Sequence, residues 1–184
     1  MDGGLTMTPD QSGGAAASAQ PGRLVKSLYT PEQRVLRDAT RWTLVQGVLA
    51  PVQFLVFAVS VVLVMRSLLT GEGVIAAHIS IIVKTVLLYT IMVTGAIWEK
   101  VVFGQYLFAE AFFWEDVVSF VVIAIHTVYL VGLLTGRLST TTLFLVALCA
   151  YSVYVVNAVQ FVLKLRAARL QEARDAAQRA VVSA

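Results

Sequence analysis

Residues 98–116 hold the densest concentration of reactive side chains in the chain. They run Trp98-Glu99-Lys100-Val-Val-Phe-Gly-Gln-Tyr106-Leu-Phe-Ala-Glu110-Ala-Phe112-Phe113-Trp114-Glu115-Asp116. Four carboxylic acids, one lysine and seven aromatic rings share this stretch. A short cytoplasmic connection in a membrane protein is ordinarily basic and polar. This one is acidic and too apolar to lie in water. An interfacial belt accounts for part of the aromatic content, but not for four acids among the rings. A carboxyl beside apolar rings loses hydration and favours its protonated form. Such an acid can donate a proton near neutral pH. That is the environment acid catalysis on a hydrophobic substrate needs.

Other polar residues sit where lipid does not explain them. Gln46, Gln53 and Ser60 are spaced by seven and share one helix face. Two readings stand for them, a polar cavity lining or interhelical hydrogen bonding. Lys84 is a charge inside an apolar run, which by default suggests function; snorkelling toward the outer interface is the alternative. His126 continues a stripe with Glu115, Ser119 and Val122, either as a ligand or as a structural hydrogen-bonder. Tyr151, Tyr154, Asn157 and Gln160 follow at steps of three, with Lys164 next.

The elements that must position these residues are membrane spans. Hydrophobic residues make up 58% of the 184 and charged residues 14%, against about 25% charged in a soluble domain. A chain so poor in charge cannot cover itself with polar surface. Spanning the hydrocarbon core takes about 20 apolar residues in helix. Four stretches qualify, at about residues 43–65, 74–98, 117–134 and 140–163. The expected fold is therefore all-α: a polytopic bundle of four transmembrane helices. The first span contains Pro51, which frees the carbonyl of Gly47 and predicts a kink.

The ends complete the outline. Residues 1–27 read as a disordered tail, residues 28–166 as the four-helix membrane unit and residues 167–184 as a basic helical tail. Thr30, Pro31 and Gln33 predict a capped short interfacial helix at residues 31–41. The tail after Lys164 is expected to continue the fourth span as a solvated helix. Basic residues flank the first and last spans, so both termini are expected in the cytoplasm. The net charge of +3 is concentrated at the ends, a pattern of membrane orientation rather than nucleic-acid binding. The single cysteine, Cys149, builds neither a disulfide framework nor a thiol metal site.

Several long and unusual stretches resemble one family. They are Leu28-Tyr-Thr-Pro-Glu-Gln33, Trp42-Thr-Leu-Val-Gln-Gly-Val-Leu-Ala-Pro51, Gln53-Phe-Leu-Val-Phe57, Leu88-Tyr-Thr-Ile-Met-Val-Thr-Gly95, Trp98-Glu-Lys-Val-Val-Phe-Gly104, Tyr106-Leu-Phe108 and Ala111-Phe-Phe-Trp-Glu-Asp116. The chain resembles the 3-vinyl bacteriochlorophyllide hydratase family over about residues 28–170. The family comprises small membrane proteins of bacteriochlorophyll synthesis in photosynthetic bacteria. The resemblance implies that water adds across the C3 vinyl group of a bacteriochlorophyllide or chlorophyllide, giving the 3-(1-hydroxyethyl) pigment. It implies no redox cofactor, a magnesium that arrives with the substrate, and a bacterial inner membrane. Lipid is a partner; other pigment-synthesis enzymes or further copies of the chain are open partners.

Residue roles follow from chemistry and not from the family. Glu99 and Glu115, each following a tryptophan, are the leading proton donors. Asp116 is the candidate base or water-orienting group. Trp98, Phe113 and Trp114 are expected to wall the pigment ring, with Gln53 in its binding site. Lys100 or Lys84 is expected to receive the propionate carboxylate. The chain supplies no metal site of its own; His126 is the candidate axial ligand for the substrate magnesium, although Mg²⁺ generally prefers oxygen. Two rival classes stand beside this reading. A non-enzymatic pigment carrier would need the slot but no acid. A small transporter would use Gln53, Lys84 and His126 as a polar path.

Overall fold

The computed structural model describes residues 28–182, so the tail predicted for residues 1–27 lies outside the described residues. Five helices follow in chain order: α1 (Pro31–Ala39), α2 (Arg41–Thr70), α3 (Val74–Phe103), α4 (Phe113–Thr135) and α5 (Thr140–Val182). Helices α2 to α5 are long and apolar enough to cross a membrane. The expected four-span, all-α architecture is the one observed.

Each long helix outruns its predicted span. An apolar run marks only the hydrocarbon-facing part of a helix, whereas the backbone stays helical until a residue leaves the right-handed region. Gly71, Gly104 and Gly136 take that step at φ 74°, 84° and 63°, where glycine has no Cβ to clash. The expected junction at residues 98–116 thus shrinks to residues 104–112. Glu99 falls in the last turns of α3, and Glu115 and Asp116 in the first turn of α4.

Helix α1 has the expected capping box. Thr30 Oγ1 accepts from the Gln33 N–H at 3.2 Å, and Gln33 Oε1 accepts from the Thr30 N–H at 2.9 Å. The basic tail is helical as expected, but it is not simply solvated. Glu172 pairs with Arg37 at 2.7 Å and Asp175 with Arg34 at 3.4 Å. These ion pairs strap α1 to the end of α5, at the same end of the bundle as residues 104–112.

The spans form two hairpins. Helix α2 packs mainly on α3, and α4 on α5; the hairpins meet more lightly along α3–α4 and α2–α5. The pattern of polarity is inverted relative to a soluble bundle. Leu69, Ile75 and Leu134 are outward, while Gln53, Ser60, Lys84, Thr85, His126 and Asn157 are buried. Lipid is as apolar as leucine, so polar groups gain by facing one another inside.

Candidate active site

Glu99 and Asp116 face each other across the turn between α3 and α4. They are 5% and 4% exposed, so neither is hydrated by bulk water. Two successive residues of the connecting loop hold them, one N–H to each carboxyl, which brings the pair together. Two carboxylates held together away from water repel each other, and one proton shared between them relieves that repulsion. The connecting loop reaches back to both. The Phe108 N–H donates to Asp116 Oδ2 at 2.6 Å, and the Ala109 N–H to Glu99 Oε2 at 3.1 Å. Phe108 is left-handed at φ 58°, among the described residues the non-glycine at positive φ. That backbone turn aims two successive N–H groups at the acids, in the manner of an anion-binding nest.

Glu115 lies beside the pair and is handled differently. Its Oε2 meets Lys164 Nζ at 2.5 Å, and Lys164 also donates to the Ala111 carbonyl. Lys164 stands on α5, one helix across from Glu115. Three acids and one lysine therefore form a single cluster, in which Glu115 has a cation partner while Glu99 and Asp116 are held by the loop N–H groups.

An aromatic cap covers the cluster at the α1 end. Trp98 meets Phe112 edge-on at 5.6 Å, Phe112 stacks on Phe161 at 5.9 Å, and Tyr29 stacks on Phe103 at 5.8 Å. Trp98 is fixed further by its Nε1–H, which donates to Thr43 Oγ1 at 2.9 Å. Burial pushes the Tyr29 phenol up to about 12, partly offset by the Arg37 guanidinium 4.8 Å from its ring.

A second polar cluster lies deeper in the bundle. Lys84 is fully buried, donates to Gln53 Oε1 and lies 3.5 Å from the centre of the Tyr154 ring. His126 is also fully buried, with Nδ1 2.8 Å from the Val122 carbonyl. Ser60 bonds Ser80 at 2.7 Å and Tyr151 at 2.5 Å, joining the two hairpins. His126 is ten residues beyond Asp116, about 15 Å of helical rise. Lys84 is fifteen residues before Glu99, about 22 Å.

The structure thus sorts the candidate residues. It brings Glu99, Glu115 and Asp116 together, with Trp98 in the cap above them. Gln53, Lys84 and His126 gather in the deeper cluster. Phe113 and Trp114 turn outward, 43% and 68% exposed, so within one chain they do not cover the buried acids. Lys100 is at the surface, donating to the Gly104 carbonyl at 2.7 Å as a cap on α3. Sequence reasoning missed the pairing of Lys164 with Glu115 and the N–H groups of Phe108 and Ala109. Lys164 left one signal, as the first charge after the apolar run of α5. The N–H groups left none, because every residue but proline carries one.

A family model described as 2-vinyl bacteriochlorophyllide hydratase matches residues 29–167. The chain belongs to this family. A protein of that name from Rhodobacter capsulatus is 67% identical over 150 residues, covering 82% of this chain and 87% of the relative. One from Cereibacter sphaeroides is 68% identical over 145 residues, covering 79% and 90%. The names number the vinyl 2 where the sequence resemblance gives 3; both describe a hydratase acting on a ring vinyl. No solved structure matches the chain. The family match spans the whole acid cluster, from Tyr29 in its cap to Lys164, and the deeper cluster as well.

Proposed function

We propose that this member of the hydratase family adds water across the vinyl group of a bacteriochlorophyllide, with the Glu99–Asp116 pair handling the proton. The observation that carries the residue assignment is two carboxyls buried together out of water, each held by one N–H of the same loop turn. Such a pair holds one proton that it can give and take back.

The steps balance without a co-reactant other than water. The pair's proton forms a C–H bond at the outer vinyl carbon, using the π electrons. The cation left on the inner carbon is stabilised by conjugation with the macrocycle. Water oxygen then forms the C–O bond, and its excess proton returns to the pair. No electrons are exchanged with a cofactor, and the magnesium comes with the substrate. Glu115, neutralised by Lys164, serves as a positioning residue for Asp116. The site's place at the bundle end suits a pigment with an apolar ring and a polar propionate. His126 stands too far along α4 to ligate the magnesium of a pigment whose vinyl is at the pair. The arginines of α1 and of the α5 tail support cytoplasmic termini in a bacterial inner membrane.

The test is vinyl-pigment hydration by membranes carrying Glu99→Gln, Asp116→Asn or Glu115→Gln. General acid–base groups contribute about 10²–10⁴-fold, so the first two variants are expected to lose about that much turnover while still binding pigment. Wild-type turnover in all three would remove the acid assignment. A pigment carrier would be indifferent to all three changes.

A further inference from the structure

We propose that Asn157 and Gln160 on α5 hold a water molecule inside the bundle, and that this water is the co-substrate served to the acid pair. The purpose given to the water rests on the hydratase reading; the water site itself does not.

Asn157 is 7% exposed. Its Nδ2–H donates to Ser119 Oγ at 2.8 Å, but its Oδ1 is buried with no partner in the chain. Gln160 Oε1 is likewise buried and without a partner. Leaving a buried polar atom unpaired costs about as much as a hydrogen bond is worth. The two residues are three apart and so share one helix face. Both atoms are acceptors, and a water molecule has two O–H groups to donate. A water that donates to both keeps its lone pairs, the electrons that attack a carbocation. Turning either amide over would change which atom is orphaned and would still leave one.

The position suits the reaction. Lys164, the partner of Glu115, follows Gln160 by four residues, and Ser119 follows Glu115 and Asp116 by about one turn. The site therefore abuts the acid cluster from inside. The opposite approach is closed by Trp98, Phe103, Phe112 and Phe161, and the loop N–H groups already occupy one oxygen of each acid.

The same seam continues inward. Gln53 Nε2 is a buried donor without a partner, and His126 Nε2 is a buried atom without one. Because the Val122 carbonyl can only accept, His126 Nδ1 carries the proton and Nε2 presents a lone pair. Donor and acceptor are again complementary to water, which on average makes about three hydrogen bonds when buried.

Hydroxyl-radical labelling by X-ray radiolysis in lipid nanodiscs detects such water directly, because radicals form where water is bound. Tyr154 is one turn from Asn157 and 9% exposed, whereas Phe54 is 55% exposed on the lipid face. Tyr154 is expected to be oxidised clearly faster than Phe54, and Asn157→Leu and Gln160→Leu each to lower that rate. Both variants are expected to slow hydration about tenfold with pigment affinity unchanged. Ser119→Ala, which removes the Asn157 partner but not Oδ1, is expected to keep the labelling. Tyr154 labelled no faster than Phe54 would overturn the proposal, as would wild-type turnover in both leucine variants. If Asn157→Leu does not fold, Gln160→Leu, at a half-buried position, carries the test. Labelling is independent of turnover. Glu99→Gln is expected to be inactive yet labelled, so failure of the hydratase reading and failure of the water site are told apart.

Discussion

Replacing Lys164 by methionine keeps the length of the side chain and removes its charge. The change strands two groups at once: Glu115, whose side chain is 7% exposed, and the carbonyl of Ala111. Breaking a fully buried pair from one side costs about 3–5 kcal/mol. Lys164 keeps 26% of its side-chain surface, so water already solvates part of it and the pair is worth less. The expected loss is about 2–3 kcal/mol. Adding Glu115→Gln removes the stranded charge. The double variant should therefore be more stable than the sum of the single losses predicts, by about 1–2 kcal/mol. Reversible unfolding in mixed micelles at neutral pH measures all four proteins. Lys164→Met within about 0.5 kcal/mol of wild type, or strictly additive losses, would show that the contact carries no energy. Hydration by Lys164→Met should also fall, since an unpaired Glu115 then stands beside the Glu99–Asp116 pair.

Tyr29 gives a pH dependence with a defined sign. Its folded phenol is pushed up to about 12, above the unfolded value of about 10. The stability it contributes is complete below about pH 10 and is lost as the pH rises through 12. Comparing wild type with Tyr29→Phe from pH 9 to 12.5 isolates this change, and parallel curves for the two proteins would refute it. Gly132 gives a packing test. A Cβ there would come within 2.5 Å of Leu138 Cδ1 and 3.1 Å of Leu143 Cδ2. Gly132→Val is expected to cost about 1–3 kcal/mol through overpacking where α4 turns into α5, read from the unfolding midpoint; an unchanged midpoint would mean that the two leucines simply move aside.

The solvent and the scaffold were legible in composition and hydropathy alone. Low charge and four apolar runs require helices in lipid, because only a helix satisfies its own backbone there. The start of α1 was also legible, since a capping box is a local device written in Thr30, Pro31 and Gln33. So was the concentration of acids among aromatic rings. What the sequence could not give was which acid meets which partner. Glu99 and Asp116 are seventeen residues apart, and their contact depends on how Gly104 and left-handed Phe108 fold the loop back. Glu115 and Asp116 are neighbours in sequence, yet point to different partners because adjacent residues on a helix do not share a face. Trp114 shows the same limit: its type suggested a ring wall, but its helix phase turns it outward. The orphaned atoms of Asn157, Gln160, Gln53 and His126 were legible only as polar residues in apolar runs. That they lack partners is a property of four helices packed together, because a partner can come only from a neighbouring helix.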